Sequence, residues 1–401
     1  MLIGIVGKPN VGKSTFFKAA TLADVEIANY PFVTIKPNEG IGFVRVECAD
    51  KFFNVQCNPK HGFCIEHNRF VPIQLVDVAG LVPGASQGKG MGNQFLDDLR
   101  QANVLVHVID AAGSTNEKGE MIKPGSYDPA EDIRFLENEI DEWYLGIFRK
   151  VWQRFSKQAV QEHQNSVDAL TKQFTGLGAN YSIIDNILSQ LNLKEKKLSE
   201  WSDSELNEFV KELRKKTKPM IIAANKADIP GALENIERLK KQFPDYVIIP
   251  CSSEAELALR EADKKGLIKY IPGDSTFEFK EGAEQKLSEK QRKALDFIKE
   301  KVLKTLGSTG VQEVLNKAVF ELLGYVYVFP GGMNKLEDQY GNILPDCFLM
   351  PPGSTALDFA YKIHSDIGDK FVKAIDVKRG IAVGKDYILH NGDVIEILTR
   401  N

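Results

Sequence analysis

Eight residues near the start of the chain, Gly7-Lys8-Pro9-Asn10-Val11-Gly12-Lys13-Ser14, have the types and spacing needed to hold a nucleotide's phosphates. The two glycines let backbone N–H groups wrap an anion, and a following helix aims its positive end at the same point. Lys13 is placed to bridge β- and γ-phosphates, and the Ser14 hydroxyl to ligate Mg²⁺. Asn10, Val11, Gly12 and Thr15 complete the expected nucleotide-binding set around these two. A glycine turn with a surface lysine is the plain alternative. Context weighs against it: the apolar run 1–6 reads as a buried strand and STFFKAATL at 14–22 as a helix, which is the arrangement the motif requires.

A second carboxylate and a second loop extend the chemistry. Asp77-Val78-Ala79-Gly80 ends an apolar run at 73–76, so Asp77 falls at a strand's carboxyl end. There it can hold Mg²⁺ through water, while the Gly80 N–H can meet a γ-phosphate. Thr34, in the loop NYPFVT at 29–34, can place its hydroxyl on Mg²⁺ only while the γ-phosphate is present, which is how such loops become switches. Lys13, Thr34 and Gly80 are therefore the residues expected at the reacting phosphate.

Asn225-Lys226-Ala227-Asp228 follows the apolar run 220–224. Ionised Asp228 only accepts hydrogen bonds, and guanine presents two donors side by side, N1–H and the 2-amino group. Adenine has an acceptor at N1 and would leave the carboxylate facing an unmatched contact, a loss of about 1–3 kcal/mol. Ser252, Ser253 and Glu254 follow the next strand and form the loop expected to meet the base oxygen.

These motifs need elements to carry them. Strand-like runs at 42–46, 72–76, 104–109, 220–224 and 246–249 alternate in their later part with helical stretches, the mark of an α/β domain with a mostly parallel sheet. From 129 to 216 no strand is evident. Ile133, Leu136, Ile140, Trp143, Ile147 and Val151 describe one apolar helix stripe there, a second helix is expected at 181–191, and Ser202-x-x-Glu205 is a capping box for a third. This segment reads as a helical, coiled-coil-like hairpin inserted into the sheet domain. A mixed linker begins at 271, and a helix is expected around 289–306. After 323 short strands at 325–329, 348–350, 381–383 and 394–398 surround a helix at 354–363 capped by Ser354, making a small α+β domain. The expected division is thus 1–128 with 217–275, an insertion 129–216, a helical connector 276–324, and a final domain 325–401.

These residues resemble translation-factor-class GTPases, in particular the Obg-related YchF type. The likeness rests on NYPFVTIKPNEG at 29–40, DVAGLVPGASQGKGMGNQFLDDLR at 77–100 and the helical insertion ahead of NKAD. LMPPGSTALDFAYKIHSDIG at 349–368 and HNGDVIEIL at 390–398 resemble a TGS domain, a β-grasp-like module shared with threonyl-tRNA synthetase and guanosine tetraphosphate synthetases. The resemblance implies an α/β P-loop GTPase domain, a helical-hairpin insertion and a TGS domain, with Mg²⁺ as cofactor and a ribosome or RNA as partner. Many YchF-type proteins lack the aspartate of the base motif and prefer ATP, whereas Asp228 is present here. In this the chain resembles more closely a guanine-reading branch known mainly from archaea and fungi. Some relatives carry a histidine in the loop matching 111–127, and this chain has none there. Leu81 stands where Ras-like enzymes place a water-orienting glutamine, so hydrolysis is expected to be slow without an activator. In some related GTPases an asparagine at the position of Asn10 helps hold K⁺ against the phosphates. Asn10 has that role or contacts phosphate without K⁺. The expected function is a GTP-dependent switch on ribosomes or RNA, the alternatives being a dual-specificity NTPase or ATPase and a nucleotide-gated RNA-binding adaptor with negligible turnover.

Composition narrows the setting. Of 401 residues 26% are charged and 43% apolar, an ordinary globular balance. The net charge of −4 leaves no global basic footprint, so any nucleic-acid contact must be local. Five cysteines are too few for a disulfide scaffold in a chain this long and fit a reducing compartment. No apolar run approaches the roughly 20 residues that span a bilayer, and the first residues do not read as a signal peptide. A cytoplasmic monomer without membrane contact is expected. Cys57, His61, Cys64 and His67, with Cys48 nearby, offer donors for tetrahedral zinc, but the spacing matches no familiar finger and reads as a plain insertion between strands. His107 inside VLVHVID reads as a packed strand residue, and lysines 194, 196 and 197 as a solvated surface.

Overall fold

The structure, a computed structural model, describes residues 1–21, 38–78, 99–283, 285–333 and 335–400. Thr34, Gly80 and Leu81 lie outside the described residues. The chain forms two compact units, one made of 1–14 with 76–251, the other of 15–75 with 252–401.

In the first unit the strands Leu2–Val6, Val104–Asp110, Met220–Asn225 and Val247–Pro250 lie side by side in that order, all parallel. Every residue of Val104–Asp110 and Met220–Asn225 is buried. Their continuous apolar sequences fit that position, because parallel strands are covered on both faces. One cover is the helix Ala232–Gln242, which buries Ala232, Ile236 and Leu239 at helical spacing.

The segment between the second and third of these strands is helical, as its pattern predicts. Ala130–Gln161 buries Ile133, Leu136, Ile140 and Trp143, but the stripe then passes to Phe148 while Ile147 and Val151 stay half-buried. Phe148 stacks on Phe174 with ring centroids 3.6 Å apart, and Trp201 bridges Trp152 and Phe209 at 5.3 and 5.2 Å. Asp203–Thr217 packs along the long helix, Ser166–Phe174 meets it through Phe174, and Tyr181–Gln190 packs on these two helices. The expected hairpin is therefore a small bundle with its own aromatic core. The capping box is formed: Ser202 Oγ accepts from the Glu205 N–H at 3.2 Å and Glu205 accepts from the Ser202 N–H at 2.7 Å.

In the second unit, Phe63–Ile65 and Asn68–Asp77 form an antiparallel hairpin next in sequence to the strand Glu39–Glu47. The helix Val311–Lys317 runs along Glu39–Glu47. Asn316 accepts from the Arg45 N–H and donates to the Arg45 carbonyl (2.9 and 3.0 Å), as a neighbouring strand would, so this edge is covered. The last seventy-odd residues form a mixed sheet in the order Phe348–Met350, Val326–Pro330, Asp393–Thr399, Phe371–Asp376, Ile381–Val383, of which only the second and third strands are mutually parallel. The helix Ala356–Ile363 is capped by Thr355 in a box with Asp358, not by Ser354. Ser354 sits one residue too early and is buried, its carbonyl accepting from the Leu389 N–H. Phe329, Leu344, Val377 and Val394 share a core with Cys48, Ala49 and Cys57, so this sheet is continuous in packing with an early part of the chain.

Candidate functional site

The strand Leu2–Val6 ends in the loop 7–12, and the helix Lys13–Thr21 begins directly after it. Gly7 and Gly12 adopt φ of 156° and 95°, and Asn10 sits at 64°. At Gly12 glycine is needed twice over. Its φ excludes most side chains, and a Cβ would stand 2.2 Å from Asn225 Nδ2. The space is taken because Asn225 donates to the Val11 carbonyl at 2.8 Å, which ties the base motif to the phosphate loop. Asn10 Nδ2 donates to the Gly119 carbonyl at 2.8 Å, leaving Oδ1 as the end a cation would use.

Lys13, Ser14 and Asp77 meet at the start of the helix. Lys13 Nζ pairs with Asp77 Oδ1 and donates to the Val78 carbonyl at 2.9 Å, and Ser14 Oγ lies 3.5 Å from Asp77 Oδ2. The Val78 N–H donates to the Ile5 carbonyl at 3.0 Å, which aligns the DxxG segment with the strand feeding the loop. A cation, a hydroxyl and a carboxylate thus converge where the helix end favours negative charge. Thr15 follows on the same helix turn.

At the base motif Lys226 adopts φ of 61° and its ammonium reaches back to Asp110 Oδ2 (2.9 Å) and Ser114 Oγ (3.2 Å). Asp110 is buried and also accepts from the Ser114 hydroxyl (2.7 Å), the Thr115 hydroxyl (3.0 Å) and the N–H groups of Ala112 and Ser114. Every one of these partners is a donor, so the buried carboxylate holds the Lys226 ammonium in place. The Ala227 N–H donates to the Cys251 carbonyl and the Cys251 N–H to the Ala224 carbonyl, at 2.9 and 2.8 Å. Beyond Cys251 the chain enters the helix Ser253–Lys264, with Ser252 and Ser253 buried and Glu254 exposed. Asp228 is half-buried.

Several site residues were not singled out from the sequence. Lys8, a free position in the phosphate motif, is buried: Nζ pairs with Asp132 at 2.8 Å, donates to the Thr115 carbonyl at 3.1 Å and sits 3.7 Å from the centre of the Tyr127 ring. It is committed away from the phosphates, and with Asp110, Ser114 and Thr115 it sets the floor of the loop. Asp110 closing the central strand ahead of Gly113-Ser114-Thr115 was the available signal. His107 is buried in that strand between Val6 and Ile222, as expected of a packed residue. Burial, aided by the Lys8 charge, pushes its imidazole down to about 3. A cavity of about 750 Å³ lies elsewhere, lined in part by Arg45, Glu47, Lys51, Glu66 and Glu313. Its interleaved charges form no anion cradle.

A parallel sheet whose first strand enters a glycine loop at a helix N-terminus, with an NKAD loop tied to it, defines a P-loop nucleotide-binding protein. Residues 2–138 match the family described as 50S ribosome-binding GTPase, 223–331 the Obg-like GTPase YGR210-like, G4 motif-containing domain, and 325–399 the TGS domain. The chain is 49% identical over 399 residues to a GTP-binding protein of Methanocaldococcus jannaschii, covering 99% of each. It is 36% identical to a GTP-binding protein of Schizosaccharomyces pombe, covering 97% of each. It is 31% identical to the ribosome-binding ATPase YchF of Mycoplasma genitalium, covering 98% of this chain and 97% of that one. A crystal structure of a GTP-binding protein from Pyrococcus horikoshii superposes over 100% of both chains with a TM-score of 0.78 at 39% identity. The chain belongs to the YchF/Obg-like family of GTP-binding proteins, with the P-loop GTPase fold and a C-terminal TGS domain. No helix among the described residues is long and apolar enough to cross a membrane.

Proposed function

We propose that the protein is a Mg²⁺-dependent GTPase that works as a nucleotide switch on ribosomes or RNA in the cytoplasm. The observation that carries this reading is the meeting of Lys13, Ser14 and Asp77 at the helix start. Ser14 Oγ and the Asp77 carboxylate are an all-oxygen donor set of the kind Mg²⁺ takes, and Thr34 would complete it. Held by these residues, Mg²⁺ would supply positive charge against the phosphate oxygens. Lys13 turns from Asp77 to the same phosphates, and backbone N–H groups of 10–15 close around them. Gly80 and Thr34, outside the described residues, would meet the γ-phosphate and the ion and so report the presence of that phosphate.

Asp228 selects guanine through its two acceptor oxygens. Leu81 offers no hydrogen bond to the attacking water, so turnover is slow until a partner, or K⁺ held by Asn10, supplies what is missing. The name of the Mycoplasma genitalium relative supports a ribosomal partner, reached through the TGS domain and the helical insertion. The same name favours a second reading, an ATPase or dual-specificity enzyme, which Asp228 opposes. Leu81 also supports a third reading, an RNA-binding adaptor with negligible turnover. The deciding experiment is ribosome cosedimentation of the monomeric full chain with a non-hydrolysable GTP analogue, the matching ATP analogue, or GDP. Retention with the GTP analogue alone supports the switch. Equal retention in all three rejects it, and single-turnover hydrolysis separates enzyme from adaptor.

A further inference from the structure

The spacing at 57–67 offers Cys57, His61, Cys64 and His67 as metal donors, but the structure gathers a different four. Cys48, Asp50, Cys57 and Cys64 each bring a ligand atom within 4.8 Å of all the others. Cys48, Asp50 and Cys57 are buried, Asp50 completely. We propose that these four residues bind one zinc ion in a closed structural site, with His67 orienting the carboxylate.

Two of the six ligand–ligand distances lie close to tetrahedral edges, and none exceeds 4.8 Å. Cys48 and Cys57 Sγ atoms lie 3.6 Å apart. That is far beyond the about 2.05 Å of a disulfide and near the about 3.8 Å edge set by Zn–S bonds of about 2.3 Å. Cys64 Sγ is 3.8 Å from Asp50 Oδ2, against an edge of about 3.5 Å for mixed S and O ligands. Asp50 is steered from both sides: Oδ2 accepts from the Cys57 N–H at 3.2 Å, and Oδ1 lies 2.9 Å from His67 Nδ1. Glu66 and His67 form the two-residue turn of their hairpin with φ of 49° and 62°. Asn-Gly usually fills such a pair, and larger residues stay there only where their surroundings insist. Here the His67 carbonyl also accepts from the Cys48 N–H at 2.8 Å, so the turn closes the cluster.

Charge balance points the same way. Binding Zn²⁺ releases three thiol protons and leaves three thiolates and a carboxylate around a dication, a net charge of −2. Arg69, fully buried, stands by: its Nη atoms donate to the Leu344 and Pro345 carbonyls at 3.0 and 2.7 Å. Its Nε has no hydrogen-bond partner among the described residues, and Arg69 faces Cys64 across the hairpin. Three soft sulfurs and one oxygen, with no position left open, suit zinc in a structural role.

The consequence is local rigidity. The only helix between 48 and 62 is the four-residue Asp50–Phe53, yet this stretch shares a core with the C-terminal sheet. The Asn58 and Lys60 N–H groups donate to the Ile343 and Pro345 carbonyls at 2.8 and 2.9 Å, and Lys60 pairs with Asp338 at 2.7 Å. A bound ion cross-links the stretch to itself before it meets residues 336–346.

The test is metal analysis of the tag-free full chain purified without chelator. One zinc per chain is expected, released by a mercurial thiol reagent. Cobalt exchanged into the site should show thiolate charge transfer and tetrahedral d–d bands. Cys48→Ser and Cys64→Ser should each reduce bound zinc severely, while Cys347→Ser retains it. Zinc-free protein with reactive thiols, or a Cys48–Cys57 disulfide in the mass spectrum, overturns the proposal without recourse to any variant. Zinc lost on Cys347→Ser but kept on Asp50→Asn overturns the assigned fourth ligand.

Discussion

In the phosphate loop the groups proposed to bind an anion are backbone N–H groups of consecutive residues, whereas around Cys48–His67 the proposed metal donors are side chains brought from four separated positions. The first arrangement is local. Its geometry follows once Gly7 and Gly12 permit positive φ, and a helix starts at Lys13. The second depends on a short helix, a strained hairpin turn and a buried arginine all falling into place. Local sites are readable from spacing, and assembled ones are readable only from contacts.

If the phosphate loop is local chemistry, one side chain should decide binding. Lys13→Ala is expected to weaken GTP about 100-fold or more, near 3 kcal/mol for a charge-assisted contact. The exposed Lys18→Ala on the same helix should leave affinity unchanged in isothermal titration. Comparable affinity for both variants would break the assignment.

The base motif sharpens the contrast, since the proposed role of Asp228 is through its own carboxylate while Lys226 pairs with Asp110 and Ser114. Asp228→Asn should cost GTP about 1–3 kcal/mol with little effect on ATP. Competition binding reads the difference, and equal losses remove the case for guanine selection.

His107 tests whether the strand beside the loop is a sealed core. Its imidazole is held down to about 3 against an ordinary 6.5, so the folded state resists a proton that the unfolded chain accepts. Stability is therefore unaffected above 6.5 and falls by up to about 1.4 kcal/mol per pH unit between 6.5 and about 3. Denaturant unfolding from pH 7 to 5 should show this slope, and His107→Leu should flatten it.

The smallest effect belongs to the helical bundle. Ser202→Ala removes the hydroxyl that accepts from the Glu205 N–H and should cost about 1 kcal/mol. A thermal melt of the full chain with unchanged GTP affinity is expected. A loss of nucleotide binding would mean that the bundle is coupled to the loop.

By itself the sequence determined the elements whose signals are short-range. The strand–loop–helix start, Asp77 at a strand end, the NKAD loop and the Ser202 capping box all depend on neighbours within a few residues, and all are where spacing puts them. Tertiary structure decided what depends on distant partners. Phe148 displaced Ile147 from the helix stripe because Phe174 stacks on it. Lys8, a variable position in the motif, was buried by Asp132, 124 residues away. The donor cluster exchanged His61 and His67 for Cys48 and Asp50 because the hairpin turn folds back on the short helix. Spacing along the chain specifies which groups can meet across one turn. Which groups meet across a hundred residues is set by the packing that brings their strands and helices together.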